Sequence, residues 1–294
     1  MKIRKMSFGM AANMLVLLIV TFICVYPFYY LLIYSVSVPG LASRGVYFLP
    51  RGFTLDNIRT VFELNNFWRS IFNSVARTVL GTLLTIIGSS VLGYSFSKTK
   101  REIPGRNIMY RLMMYAIYIT PGIMPWYITM RMYQLDNNFL LYILPKIVVG
   151  GYVIWIKFFF QNMPSALEES AMIDGANYFK IFTRIMLPLS KPILATVAMF
   201  SAIDQWNSWY DNFMLNFDPK LMTLQYLLYG YLAESAAQSQ ALLYNTGLSE
   251  LAMKVTVPSI RAAVTVIAVT PIFLAYPFLQ KHFIRGIAAG AIKE

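Results

Sequence analysis

The sequence predicts an all-α membrane protein with six transmembrane helices, and three observations carry that prediction. Hydrophobic residues make up 57% of the 294-residue chain and charged residues only 13%, about half the charged share of an ordinary soluble domain. Six mostly apolar runs, near 10–34, 71–97, 108–130, 138–160, 192–214 and 258–281, each supply the roughly 20 residues that about 30 Å of hydrocarbon demands. Lysine and arginine collect at the ends of these runs instead of forming one stripe, so the net charge of +12 reads as membrane topology and argues against a nucleic-acid partner.

The first run follows Lys2, Arg4 and Lys5. It is too long for a signal peptide and lacks a small-residue cleavage site, so it reads as a retained helix. Its Cys24 is the sole cysteine, which excludes an internal disulfide and a cysteine-rich metal site. The second run is punctuated by Gly81, Gly88 and Gly93 with Ser89 and Ser90. Small residues let helices approach closely where lipid supplies no hydrophobic drive, so this run predicts a packed, interior helix.

Placing both termini in the cytoplasm puts basic residues there over the opposite side by roughly two to one. Residues 1–70 then form an N-terminal helix and outer segment, 71–281 a core with an inner loop at 164–191 and an outer segment at 215–257, and 282–294 a cytoplasmic tail. No Gly-x-x-x-x-Gly-Lys-Ser/Thr phosphate loop occurs. The chain reads as one membrane domain; if ATP drives it, another chain hydrolyses that ATP.

The inner loop is the most informative stretch. Ser165 stands three residues before Glu168, a capping-box pattern that predicts a helix from about Ala166. Asp174-Gly175 ends it, since glycine tolerates the left-handed backbone of a helix exit. Asn177 caps a second short helix carrying Phe179, Phe182 and Met186 on one face, until Pro188 forbids its continuation. Glu168, Glu169 and Asp174 nearly balance Lys180, Arg184 and Lys191, unlike the lysine- and arginine-rich helices that lie on lipid headgroups. An apolar face with an acidic first turn outside the membrane implies a receiving protein surface.

Glu169-Ser170-Ala171, Asp174-Gly175-Ala176, Ile185 and Leu187-Pro188 resemble the Glu-Ala-Ala loop of binding-protein-dependent ABC importers, with Ser170 in place of the usual first alanine. Phe53-Thr54-Leu55-Asp56-Asn57, Asn73-Ser74, Trp206-Asn207 and Phe283-Ile284-Arg285-Gly286 are similar to the smaller membrane subunit of the maltose-importer class. The resemblance implies a type I ABC importer permease fold with a cytoplasmic coupling-helix loop, in the cytoplasmic membrane of a bacterium. It implies a second homologous permease subunit, two ATPase subunits that bind the ATP and magnesium, an extracytoplasmic solute-binding protein and an oligosaccharide substrate. This chain itself would hold no cofactor, no metal and no catalytic residue. Glu168, Glu169, Ala171, Asp174, Gly175, Ala176, Phe179, Ile185, Leu187 and Pro188 would form the ATPase-coupling surface, with Glu169 pairing with a basic residue of the ATPase groove.

Ionisable residues at membrane depth are costly and mark candidate function. Arg77 and Lys146 lie one or two turns into their runs and Asp204 about midway in its own. If the two cations face a substrate route, they favour an acidic oligosaccharide. Asp204, Trp206, Asn207, Trp209 and Tyr210 mix stacking and hydrogen-bonding groups within one and a half helical turns, a composition suited to sugar contact. An intramembrane enzyme is disfavoured: Asp204 has no obvious second carboxylate within the runs, and the only histidine, His282, adjoins the tail. An ATP-independent secondary transporter of a polar solute is the rival reading, but it leaves the inner loop without a purpose.

Overall fold

The computed structural model describes residues 8–64, 66–99, 101–119, 121–233, 256 and 258–274. Among them every regular element is helical, with one isolated antiparallel bridge between Ser37 and Phe53. In chain order they are α1 (Phe8–Ser35), α2 (Pro39–Ala42), α3 (Asp56–Glu63), α4 (Phe67–Ser97), α5 (Arg106–Tyr118), α6 (Ile123–Met132), α7 (Gly150–Gln161), α8 (Ala166–Ile173), α9 (Tyr178–Ile181), α10 (Leu187–Leu189), α11 (Lys191–Asn207), α12 (Tyr210–Leu215), α13 (224–233) and α14 (Pro258–Leu274). Most of the outer segment 215–257, the tail 282–294 and the last residues of the sixth run lie outside the described residues.

Two helices among the described residues are long and apolar enough to cross a membrane unbroken, one at Ala12–Ser35 and one at Phe67–Ser97. Two further pairs pass only as bent units, Phe139–Lys146 with Gly150–Gln161 at 43° and Tyr178–Leu189 with Lys191–Asn207 at 78°. The third run, read from sequence as one helix, is two. Pro121 and Gly122 separate α5 from α6, because proline cannot donate to the helix ladder. The fourth run is likewise broken. It starts as 3₁₀ turns at Phe139–Tyr142 and Leu144–Lys146, with Pro145 in the second, and becomes α-helical only at Gly150.

Contacts divide the chain into two units. One holds the residues up to Phe67 with Leu228–Pro271, and the other holds Trp68–Leu227. In the first, Ile33, Ala42 and Val46 form a small core beside Tyr30 and Tyr34. The Phe53–Asn57 motif has a local explanation there. The Thr54 hydroxyl accepts from Asp56 N–H at the start of α3, and the fully buried Asn57 donates to the carbonyls of Ser35 and Ser37 at 2.9 and 2.8 Å. This ties α3 to the end of α1.

In the second unit α4 is the organising helix. A Cβ at Gly88 would lie 2.6 Å from the backbone oxygen of Ile147, so glycine is what admits the 147–149 backbone against α4. Asn73 donates to the carbonyls of Lys220 and Met222, both at 2.9 Å, and the Ser74 hydroxyl accepts from Leu224 N–H. The Asn73-Ser74 pair therefore fastens the segment leading into α13. Below, Tyr94, Ile156, Phe160, Ala171, Ile181, Phe182, Met186 and Val197 form one apolar cluster joining α4, α7, α8, α9 and α11. Its rings stand 5.0 Å apart for Tyr94–Phe182 and 5.5 Å for Tyr94–Phe160, pairs that contribute about 0.5–1.5 kcal/mol each beyond area burial.

Candidate functional site

The 164–191 loop folds as helix, turn, helix, break. α8 begins at Ala166 as the sequence predicts, but the capping box does not form: Ser165 has helical backbone angles and makes no side-chain cap. Glu168 points elsewhere, to Lys98 at the end of α4. The exit is a Schellman turn. Ala176 N–H reaches the Ala171 carbonyl at 2.9 Å and Gly175 N–H the Met172 carbonyl at 3.0 Å, with Gly175 at φ +76°. The spacing Ala171, Gly175, Ala176 is thus the turn itself: the buried Ala171 and the part-buried Ala176 meet the apolar cluster, and glycine takes the left-handed position.

Asn177 caps α9 as expected, its side chain accepting from Lys180 N–H at 2.9 Å. The expected face of Phe179, Phe182 and Met186 is corrected. Phe182 and Met186 are buried with Ile181, whereas Phe179 is 74% exposed. Ile181 faces the core and Phe179, two residues earlier, lies some 200° around the helix at 3.6 residues per turn. Pro188 does not stop the helix either. The ladder widens to a π-turn over Phe182–Met186, and Pro188 then sits in the first turn of α10, where no N–H is required. The break comes at Ser190, before Pro192 in the first turn of α11.

The predicted loop residues therefore divide. Glu169, Asp174, Gly175, Phe179 and Pro188 face outward, while Ala171, Ala176, Ile185 and Leu187 pack inward. Glu168 is corrected to an inward role, its side chain only 16% exposed against Lys98. Lys98 lies over the Tyr94 and Tyr178 rings at 4.5 and 5.8 Å. Burial pushes the neighbouring Glu102 carboxyl up, but the Thr99 hydroxyl and N–H, both at 2.6 Å, and the Lys98 charge outweigh it and hold that carboxyl below the usual range. A cavity of about 560 Å³ opens between the ends of α4, α7 and α8 beside this cluster, with Glu169 at its lining. The outward edge carries Leu167, Met172, Ile173, Tyr178 and Phe179 exposed next to Glu169 and Asp174.

The intramembrane residues also separate. Arg77 is 1% exposed. Its guanidinium grips both oxygens of Asp211, one at 3.0 Å, donates to Gln205 Oε1 and the Ser208 carbonyl at 3.1 Å each, and lies 4.6 Å from the centre of the Tyr142 ring. A route-facing role for Arg77 is corrected, since its donors are spent on holding α4 to α11 and α12. Asp211 is the second carboxylate within the fifth run that sequence reasoning passed over. Lys146, by contrast, meets Asp204 at 2.6 Å with both side chains reachable, 29% and 56% exposed. Trp206 is buried, Asn207 is exposed near Gln225, and Trp209 and Tyr210 join Trp126 and Phe213 in an aromatic group beside α12. Lys98, Asp211, Gln205 and Tyr142 were missed. The signal available for Lys98 was a basic residue at the C-terminal end of the glycine-rich run. Among the described residues no group of three or more His, Cys, Asp or Glu side chains is placed to hold a metal.

No family model matches the chain. It is 35% identical to Protein LplC of Bacillus subtilis, over 92% of this chain and 90% of that one. It is 33% identical to the polygalacturonan/rhamnogalacturonan transport system permease protein YtcP of the same organism, over 94% and 95%. Among solved structures, it superposes with a TM-score of 0.82 and 26% identity on a chain of a bacterial ABC transporter involved in the import of the acidic polysaccharide alginate, covering 94% of this chain and 96% of that one.

Proposed function

The chain belongs to the permease subunits of ABC sugar transport systems, non-enzymatic membrane components of a larger complex, and from that premise we propose which complex and which task. It is one of two membrane subunits of an ATP-driven importer that passes an oligosaccharide, delivered by an extracytoplasmic binding protein, across the bacterial cytoplasmic membrane. Both termini and the 164–191 loop lie on the cytoplasmic side, and two ATPase subunits grip that loop. The single observation that carries this reading is the outward edge of α8 and α9. Glu169, Ile173, Asp174 and Phe179 stand exposed on a turn anchored from behind by an apolar cluster and by Lys98–Glu168. A stiff, anchored protrusion with an apolar and acidic face is what transmitting a rigid-body motion requires.

Sugar charge is a finer matter. YtcP and the alginate transporter carry acidic polysaccharides in their names, which supports an acidic sugar as a refinement. Arg77 and Lys146 no longer add to that support, because each is matched by a carboxylate of this same chain.

The test is purification and uptake. The chain is expected to bring down an ATPase and a second membrane subunit, and Gly175→Trp is expected to abolish ATP-dependent uptake while the binding protein keeps its affinity for sugar. Uptake by that variant at the wild-type rate, or an active ATP-independent homo-oligomer, would sink the proposal.

A further inference from the structure

We propose that Lys146, Asp204, Tyr152, Trp155 and Phe200 form a sugar subsite contributed by this chain, one that takes an uncharged pyranose unit; this rests on the importer reading above and stands against its acidic-sugar refinement. The five residues come from the unwound end of the fourth run, α7 and α11, and they lie together. Lys146 Nζ is 2.6 Å from Asp204 Oδ2. The Tyr152 and Trp155 rings stand 5.6 Å apart and the Trp155 and Phe200 rings 5.5 Å apart, and Phe200 precedes Asp204 by one helical turn. Trp155 is 42% exposed and Phe200 is also partly open.

Lipid is a poor occupant for this face. An ion pair at membrane depth turns toward protein or a water-filled cavity. The backbone from Ile147 to Val149 is not helical; α4 covers it at Gly88 while Val148 is exposed, and irregular backbone at that depth survives only where protein or aqueous space covers it. What remains is an aromatic surface beside one ammonium and one carboxylate. Few polar groups set among aromatic ones is the composition of a small-molecule site. The ring C–H face of a pyranose stacks on an aromatic surface, while neighbouring hydroxyls accept from Lys146 and donate to Asp204. Because the pair is neutral as a whole, it offers no net attraction to an anion.

The experiment uses the intact importer in cells, with four labelled probes: cellotriose, raffinose, maltotriose and trigalacturonate. Trp155→Tyr keeps an aromatic surface and Trp155→Leu keeps bulk without one. With a neutral probe the Leu variant is expected to lose at least tenfold in uptake and the Tyr variant to stay within about twofold, both compared at wild-type recovery of the assembled complex. Asp204→Asn, which leaves Lys146 unbalanced, is expected to shift uptake toward trigalacturonate at least fivefold relative to the neutral probes. Equal uptake by the Leu and Tyr variants overturns the subsite and leaves the importer reading standing. Wild-type uptake of trigalacturonate alone overturns the neutral-sugar assignment. Wild-type uptake of none of the four counts against both readings.

Discussion

Lys98 at the end of α4 and Glu168 in the first turn of α8 form a shielded ion pair within one chain, 70 residues apart in sequence. This joins the exposed loop to a membrane-crossing helix directly. Removing one member of a buried pair strands the other charge, at about 3–5 kcal/mol. Lys98→Met or Glu168→Gln is therefore expected to cost about 3 kcal/mol in thermal unfolding of the purified complex, and to loosen the coupling of ATP hydrolysis to uptake. Changing both residues to methionine should cost less than either single change. A double variant as damaged as the sum of the two singles would show that the pair has no mutual coupling.

Arg77 and Asp211 pose the same question under deeper burial. The arginine also serves Gln205 and the Ser208 carbonyl, so the two partners are not equivalent. Arg77→Met is expected to be the more damaging, leaving Asp211, Gln205 and a carbonyl short of donors, about 3–5 kcal/mol. Asp211→Asn keeps one acceptor and the shape but strands the guanidinium charge, and is expected to cost about 3 kcal/mol, the lower end of that range. Thermal unfolding of both variants checks the order, and a reversal would mean that the carboxylate, not the guanidinium, organises the N-terminal half of α4.

The 164–191 loop was legible in sequence because its punctuation is local. Gly175 and Asn177 each act on the few residues around them, so the turn and the second cap fall where expected; the start falls at Ala166 although Ser165 makes no cap there. What was not legible depends on distance or on the core. No local pattern announces that Glu168 will leave Ser165 for Lys98, or that Ile181 instead of Phe179 will face Tyr94 and Phe160. Arg77 and Asp211 lie 134 residues apart, so the charge at Arg77 suggested a ligand when its partner was within the chain. The breaks at Pro121-Gly122 and Pro145 were visible as residues, but long apolar runs averaged over them.

Gly88 gives a sharper test of helix packing. Its would-be Cβ meets backbone at Ile147, which cannot rotate away as a side chain does, whereas Gly151 has nothing within 4 Å and an ordinary backbone. Gly88→Val is expected to lower recovery of the assembled complex by at least severalfold, while Gly151→Ala is tolerated. Equal recovery of the two variants would mean that the Ile147–Val149 segment yields without penalty.

Gly175 separates turn geometry from occupied space. At φ +76° a Cβ is strained, yet nothing lies within 4 Å of where it would be. Gly175→Ala should therefore lose only the left-handed penalty, about 1–2 kcal/mol held locally in the turn, and keep partial uptake. Asparagine visits that region more readily, so Gly175→Asn is expected to transport better than Gly175→Ala despite being larger. Tryptophan adds bulk on the outward edge, where the proposed ATPase groove would close. The expected order of uptake is glycine, asparagine, alanine, tryptophan, measured at equal complex recovery. If alanine outperforms asparagine, size at the interface governs the position and the Schellman turn is incidental to it.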